Sequence, residues 1–306
     1  MMARMPARGA ALVIAMLLAA LAAAVTVALA TGQERWRSTV LHRRDQVQAE
    51  AIAQAGIEWA RSALDDDAKT SSTDTLNEPW ALPLPPTPVG NGSVEGRIVD
   101  AQGLLNLNNL AIDGTTSALA RAQLTALFTE VGASPSLLDA IADAVDTDNV
   151  ARDAGAEDAY YARATPPHLT YNAPALRVAE FAGVRGMTPQ SMAAIRPFVT
   201  ALPPPTTLNV NTAPADVLMA ALPGLDSDGA TALVAGRSAK PFTTIAELRA
   251  RLPPSATLVD ERAFSVASGY FLVSVDARQG ETRVRARALL VRTLAKPASI
   301  VWQVIE

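Results

Sequence analysis

The chain has 306 residues, 49% of them apolar, a net charge of −4 and no cysteine. That length suits one membrane anchor with one or two further domains, and the missing cysteines exclude disulfides, thiolate catalysis and Cys-based zinc or iron–sulfur sites. With His42 and His168 the only histidines, a histidine-rich metal site is excluded, and the weakly acidic balance gives no bulk basis for nucleic-acid binding.

Arg4 and Arg8 precede an uncharged, apolar run over residues 10–30, and the next charge is Glu34. As a helix this run spans roughly 30 Å, one hydrocarbon core. The basic residues ahead of it favour a cytoplasmic N-terminus, with the bulk of the chain exported. Ala28-Leu29-Ala30 would also pass as the cleavage site of a secretory signal, so composition alone leaves anchor and cleaved signal both open. Residues 33–64 continue helix-compatible, with no proline and Gly56 as the only glycine. Val47, Ala51, Ala55, Trp59 and Ala63 recur at i, i+4 there and mark an expected apolar face.

Residues 65–92 are polar and then proline-rich, and read as a loop. SVEGRIVDAQG alternates and then turns at Gly103, as a strand does. YFLVSVDARQGETRVRARALLVR reads as two strands joined at Gln279-Gly280-Glu281, and SIVWQVIE as a third. Arg283, Arg285 and Arg287 fall on one side of the middle strand, expected to face solvent. Between these ends, residues 113–252 read as helices separated by Pro and Gly turns. A lone strand near 94–101 needs partners, and the closest candidates lie near 270–305. The expected fold class is therefore α+β: a long N-terminal helix (10–30 in the membrane, 31–64 outside) on a small antiparallel sheet built from residues 65–112 and 253–306. An all-α insertion over 113–252 interrupts it.

LNLNNLA at 105–111 and LNVNTAP at 208–214 are near copies, each ahead of a helix. Their asparagines suit capping and turn formation. The second copy leads into a helix-hairpin-helix-like unit turning at Leu222-Pro223-Gly224-Leu225, with a capping box of Thr244 and Glu247 further on; an earlier unit turns at Gly186. Such units often bind DNA through backbone N–H groups at the glycine turn, which makes a membrane-anchored DNA-binding module the alternative reading. Charge opposes it: residues 113–252 hold fourteen acidic side chains against ten basic ones.

The chemical signal is DAIADAVDTDNVARDAGAEDAYY. Residues 139–158 hold seven acidic side chains and one basic one. Asp146, Asp148 and Glu157 take positions 1, 3 and 12 of a calcium-loop spacing, although Val150 stands at position 5 and Ala151 where the turn glycine belongs. Hard oxygen ligands at alternating positions suit Ca²⁺, with Asp153 and Asp158 as further candidate ligands; a solvated acidic loop is the other reading.

The ordered set Asp100-Ala-Gln-Gly103, Leu-Asn-Leu-Asn-Asn-Leu, Asp146-Thr-Asp148, Gly155-Ala-Glu157-Asp158, Tyr160-Tyr161, Asn172-Ala-Pro174, AEFAGVRGMT, RPFVTALP and LNVNTA resembles the K-type minor pseudopilins of bacterial type II secretion over nearly the whole chain. Arg8-Gly9 is similar to the prepilin leader of that class, which implies a leader of residues 1–9 removed between Gly9 and Ala10. Most pilin-like proteins carry Glu at the fifth mature position; Ile14 stands here, a departure the K type shares. The resemblance implies a single-pass inner-membrane protein with a periplasmic domain that binds calcium as a structural ion. It implies a place at the tip of the pseudopilus, supporting protein secretion across the outer membrane. The implied partners are the I-type and J-type minor pseudopilins, the major pseudopilin, the prepilin peptidase and the inner-membrane secretion platform. No nucleophile elbow, P-loop or dinucleotide fingerprint is present, and the chain reads as a structural subunit, not an enzyme.

Overall fold

A computed structural model describes residues 8–112, 114–293 and 296–306. Residues 1–7 of the expected leader, and residue 113 at the expected start of the insertion, lie outside the described residues. The first element is one helix, α1 (Arg8–Asp67), 60 residues long and therefore about 90 Å from end to end. Its first half displays Leu12, Ile14, Leu17, Leu21 and Val25 with nothing covering them. That half is long and apolar enough to cross a membrane.

The second half of α1 lies on a five-stranded sheet: β1 (Leu84–Val89), β2 (Gly92–Asp100), β3 (Tyr270–Gln279), β4 (Thr282–Thr293) and β5 (Lys296–Ile305). Spatial order follows chain order and every neighbouring pair is antiparallel. Alternate residues of each strand point at the helix, so Val94, Ile98, Phe271, Val273, Val275, Ala277, Val284, Ala286 and Ala288 form one apolar face. The helix offers Ala49, Ala53, Ile57, Ala60 and Leu64. Gly56 sits at the closest approach: a Cβ there would stand 2.7 Å from a Val275 methyl.

Two expectations need correction here. The expected apolar stripe is on the wrong side of α1, since Val47 and Trp59 are 65% and 48% exposed. The helix carries alanine all round, so spacing alone did not distinguish the faces; Ile57, Leu64 and the room made by Gly56 decide it. The proline-rich stretch is not all loop, because Leu84–Val89 forms β1. Proline lacks the N–H that a central strand needs, and β1 is an edge strand where one ladder is enough. Below it, Trp80 is buried edge-on to Phe271, with ring centroids 5.2 Å apart. On the outer face of the sheet, Arg283 and Arg285 both reach Asp276, and Arg287 pairs with Glu306.

Between β2 and β3 the chain leaves the sheet and builds a second core. Its helices are α2 (Ala118–Glu130), α3 (Leu137–Val145), α4 (Asp158–Tyr161), α5 (Pro189–Ile195), α6 (Ala215–Ala221), α7 (Ser227–Ala239) and α8 (Ile245–Arg251). That core also takes in Leu105, Leu107 and Leu110 before the expected boundary at 113, and Phe264 after the one at 252. The block consists of two units, each closed by a two-residue parallel bridge: Leu105 and Asn106 on Val199 and Thr200, then Leu208 and Asn209 on Phe264 and Ser265.

The asparagines of the two near-copies do more than cap. Asn106 Oδ1 accepts from Leu202 N at 3.0 Å while its Nδ2 donates to Leu202 O at 3.0 Å, across 96 residues. Asn209 Nδ2 donates to Asp74 O, Asp100 Oδ2 and Ser268 Oγ at 2.9–3.0 Å. Ser117, not an asparagine, caps α2. Of the capping box, Thr244 Oγ1 accepts from Glu247 N at 3.3 Å, and Glu247 Oε2 accepts from the N–H of Thr243 instead of Thr244.

Asp100 is the centre of the junction between sheet and block. It is 3% exposed and accepts from Gln102 N at 2.8 Å, Asn209 Nδ2 at 2.9 Å, and the hydroxyls of Thr212 and Ser268 at 2.6 Å. Arg292 of β4 closes the other side, donating to Asp67 at 2.7 Å and to Asp74.

Candidate metal centre

The acidic loop is held by the end of α3. This helix buries nearly all of its length, so the chain that leaves it is fixed in place. Asp143, in its last turn, is fully buried, and Asp146 is the C-cap residue. Beyond it, Asp148 Oδ1 accepts from Val150 N at 2.8 Å, a local turn of the kind aspartate favours. The loop then comes back so that Glu157, ahead of the short helix α4, faces Asp146.

One carboxylate oxygen from each of Asp146, Asp148 and Glu157 lies within 4.8 Å of the other two. Ligands about 2.4 Å from a common Ca²⁺ stand up to about 4.8 Å apart, so the spacing suits that ion. Asp146 Oδ1 and Glu157 Oε1 are buried with no hydrogen-bond partner. A buried carboxylate oxygen without a donor is costly, and a hard cation would supply what these two lack. The residues present therefore fit calcium.

Electrostatics agree with the geometry. Burial, then the charges of Asp143, Asp146 and Asp148, push Glu157 up to about 7. Burial also raises Asp146, opposed by its hydrogen bond to Arg152. In an ion-free loop the carboxylates repel one another, and the proton is the available substitute for a cation.

Of the five residues expected as ligands, the structure brings three together. Asp153 is exposed and lies outside the cluster. Asp158 lies outside the cluster, its Oδ1 accepting from Thr170 N at 3.0 Å and Thr170 Oγ1 at 2.8 Å. The incomplete spacing was nevertheless informative: positions 1, 3 and 12 are the three that meet, while Val150 at position 5 is 74% exposed. Sequence reasoning missed Asp143 and Arg152, which stand behind the cluster. Arg152 Nη1 donates to Asp143 Oδ1 and Asp146 Oδ2, each at 2.5 Å. The signal available was the single basic residue within seven acids.

The glycine turn of the hairpin unit does not offer a phosphate site. Gly224 (φ +81°) is covered by the chain itself: a Cβ there would stand 2.0 Å from the Ser255 carbonyl oxygen, and Thr257 N donates to Pro223 O at 2.8 Å. Asp226 Oδ1 accepts from Gly229 N at 2.8 Å, placing an acid where a phosphate would need to approach.

Comparison with known proteins follows the division of the block into two units. Two family models, both described as type II secretion system (T2SS), protein K, match residues 103–204 and 208–267. The chain is similar to a type II secretion system protein K of Aeromonas hydrophila, 33% identical over 239 residues, 71% of this chain and 72% of the relative. It is similar to another of Klebsiella pneumoniae, 30% identical over 299 residues and 92% of each chain. Among solved structures it resembles a chain of the crystal structure of the GspK-GspI-GspJ complex from the enterotoxigenic Escherichia coli type 2 secretion system. The TM-score is 0.75 at 26% identity, covering 86% of this chain and 98% of that one.

Proposed function

The chain belongs to the protein K family of type II secretion systems, and from that premise we propose that it is the minor pseudopilin that caps the tip of the periplasmic pseudopilus. The observation that carries this reading is the division of α1: an uncovered apolar half fit for a membrane, and a half that buries one face on the sheet and leaves Val47 and Trp59 on the other for neighbouring helices. The helical block, set between β2 and β3, is bulk that a subunit stacked above would meet, which favours the terminal place. The I-type and J-type minor pseudopilins are its neighbours there, in keeping with the complex of the similar structure. Ile14, five residues into the chain that would follow cleavage after Gly9, offers no carboxylate to a subunit ahead of it.

The N-terminus lies in the cytoplasm on this reading, and the leader, not flanking charge, carries that assignment. Arg4 and Arg8 ahead of the span favour this orientation, but Arg35, Arg37, Arg43 and Arg44 after it pull the other way, so flanking charge does not decide between the two. The test is the intact mass and N-terminal sequence of the membrane-extracted protein. A chain starting at Ala10 only when a prepilin peptidase is present is the expected result, and one still starting at Met1 with the peptidase present would end the pseudopilin reading.

Calcium is the structural ion in this proposal, held by Asp146, Asp148 and Glu157. It would cancel the mutual repulsion of the carboxylates and tie the 146–157 loop to the end of α3. A pH dependence follows. Between about 4.5, the ordinary value for Glu, and about 7, the ion-free folded chain keeps a proton on Glu157 that the unfolded chain has lost. The stability of the ion-free form therefore falls as pH rises across that window and levels off above it. Saturating calcium takes the proton's place and removes this contribution to the slope. Melting temperatures at pH 5, 6, 7 and 8, in chelator and in calcium, check it; parallel curves in the two series would count against the site.

A further inference from the structure

The geometry points to Arg152 as the positioning residue of the ion site: it holds Asp146 so that one carboxylate oxygen is committed to the protein and the other is presented to the cation. This inference rests on the calcium reading above and adds to it a residue that is no ligand.

Arg152 reaches four oxygens on three side chains. Nη1 donates to Asp143 Oδ1 and to Asp146 Oδ2, each at 2.5 Å. Nη2 donates to Thr116 Oγ1 at 2.8 Å, and the backbone N–H donates to Asp143 Oδ2 at 3.1 Å. The guanidinium is thus fixed from behind by a fully buried acid and by a hydroxyl on a different segment, 36 residues earlier. A planar guanidinium can hold such directions at once, which a single ammonium does not.

The oxygen that Arg152 takes is decisive. It occupies Oδ2 of Asp146, whereas the buried oxygen without a partner is Oδ1 of the same carboxylate. Asp146, Asp148 and Glu157 are clustered with Arg152 already in place. The arginine is therefore not a stand-in cation that must leave before an ion enters; arginine and ion use opposite edges of one carboxylate. Its charge also offsets part of the repulsion among Asp143, Asp146, Asp148 and Glu157, which eases assembly of the ligands before the ion arrives. Asp139 beside them has its own counter-ion, since Arg121 Nη2 donates to Asp139 Oδ1 at 2.5 Å.

The test is calorimetric titration of the chelator-stripped, detergent-solubilised full chain with Ca²⁺, paired with the melting temperature of the ion-free form. Arg152→Lys keeps the charge and loses the fork. The expected result is a Kd at least tenfold weaker, with ion-free melting within a few degrees of the parent. If that variant does not fold, Arg152→Met combined with Asp143→Asn removes the guanidinium together with the buried charge it neutralises, and the same weakening is expected. A folded variant whose Kd equals or betters the parent's overturns the positioning role and leaves the calcium reading intact. A parent chain that shows neither heat nor a melting shift with Ca²⁺ removes the calcium reading, and this role with it.

Discussion

Asp100→Ala should cost the protein about 4 kcal/mol or more, the largest loss expected of any single substitution described for this fold. Four donors converge on this carboxylate, namely Gln102 N, Asn209 Nδ2 and the hydroxyls of Thr212 and Ser268, all at 2.6–2.9 Å. Alanine leaves each of them buried beside a cavity. The loss should also be local in character, because these donors belong to the block and to the segment that returns to β3. Thermal melting of the solubilised chain measures the cost, and limited proteolysis places it, with new cuts expected near 101–104 and 266–269. A melting temperature within two degrees of the parent would show that the junction is held by apolar contact instead.

If the loop holds calcium as proposed, Gly155→Ala should weaken that binding and lower the melting temperature, although the change adds one methyl group. The backbone at Gly155 is not left-handed; what matters there is space. A Cβ would stand 1.8 Å from Asp143 Oδ2 and 2.6 Å from its Cγ. Asp143 cannot yield without releasing Arg152, and Arg152 holds Asp146, so the methyl group acts on the carboxylate cluster through two side chains. Overpacking of this kind costs about 1–3 kcal/mol. The control is Asp153→Asn, an exposed change outside the cluster, expected to leave the titration unaltered. A Gly155→Ala protein that binds calcium as the parent does, or an Asp153→Asn protein that loses it, would overturn the arrangement of the site.

How much of this was legible in the sequence differs from element to element for physical reasons. The β3–β4 hairpin and the third C-terminal strand were legible, because alternation has a period of two and Gly280 (φ +56°) marks the turn. The buried face of α1 was not, since small residues on every side leave helical periodicity without contrast, and selection falls to the partner surface. β1 was hidden by its prolines, which forbid a central strand and allow an edge, and edge position is a property of the assembled sheet. In the acidic loop, the meeting of Asp146, Asp148 and Glu157 was legible because a chain that returns after a tight turn repeats its spacing. Asp158 was not separable from them, as its orientation depends on Thr170, which a linear spacing does not place. The two near-copies were visible as repeats. Their task of fastening distant segments was not, because it depends on which strand each repeat meets.

β2 and β3 are hydrogen-bonded along their length, from Gly92 on Gln279 to Asp100 on Phe271, with residues 101–269 between them. If those residues were still a coil, closing the loop would cost roughly 3 kcal/mol more than closing a short turn. A folded block has its two ends side by side, since Gly269 N donates to Gln102 Oε1 at 2.6 Å, and so acts as a ready-made hairpin turn. The closure cost favours an order of folding in which the inserted block forms before the central pair of the sheet zips together and receives α1. A chain whose block is slow to form would expose the unpaired edges of β2 and β3 for that interval, so the kinetic weak point of this subunit is the delay before its own sheet can close.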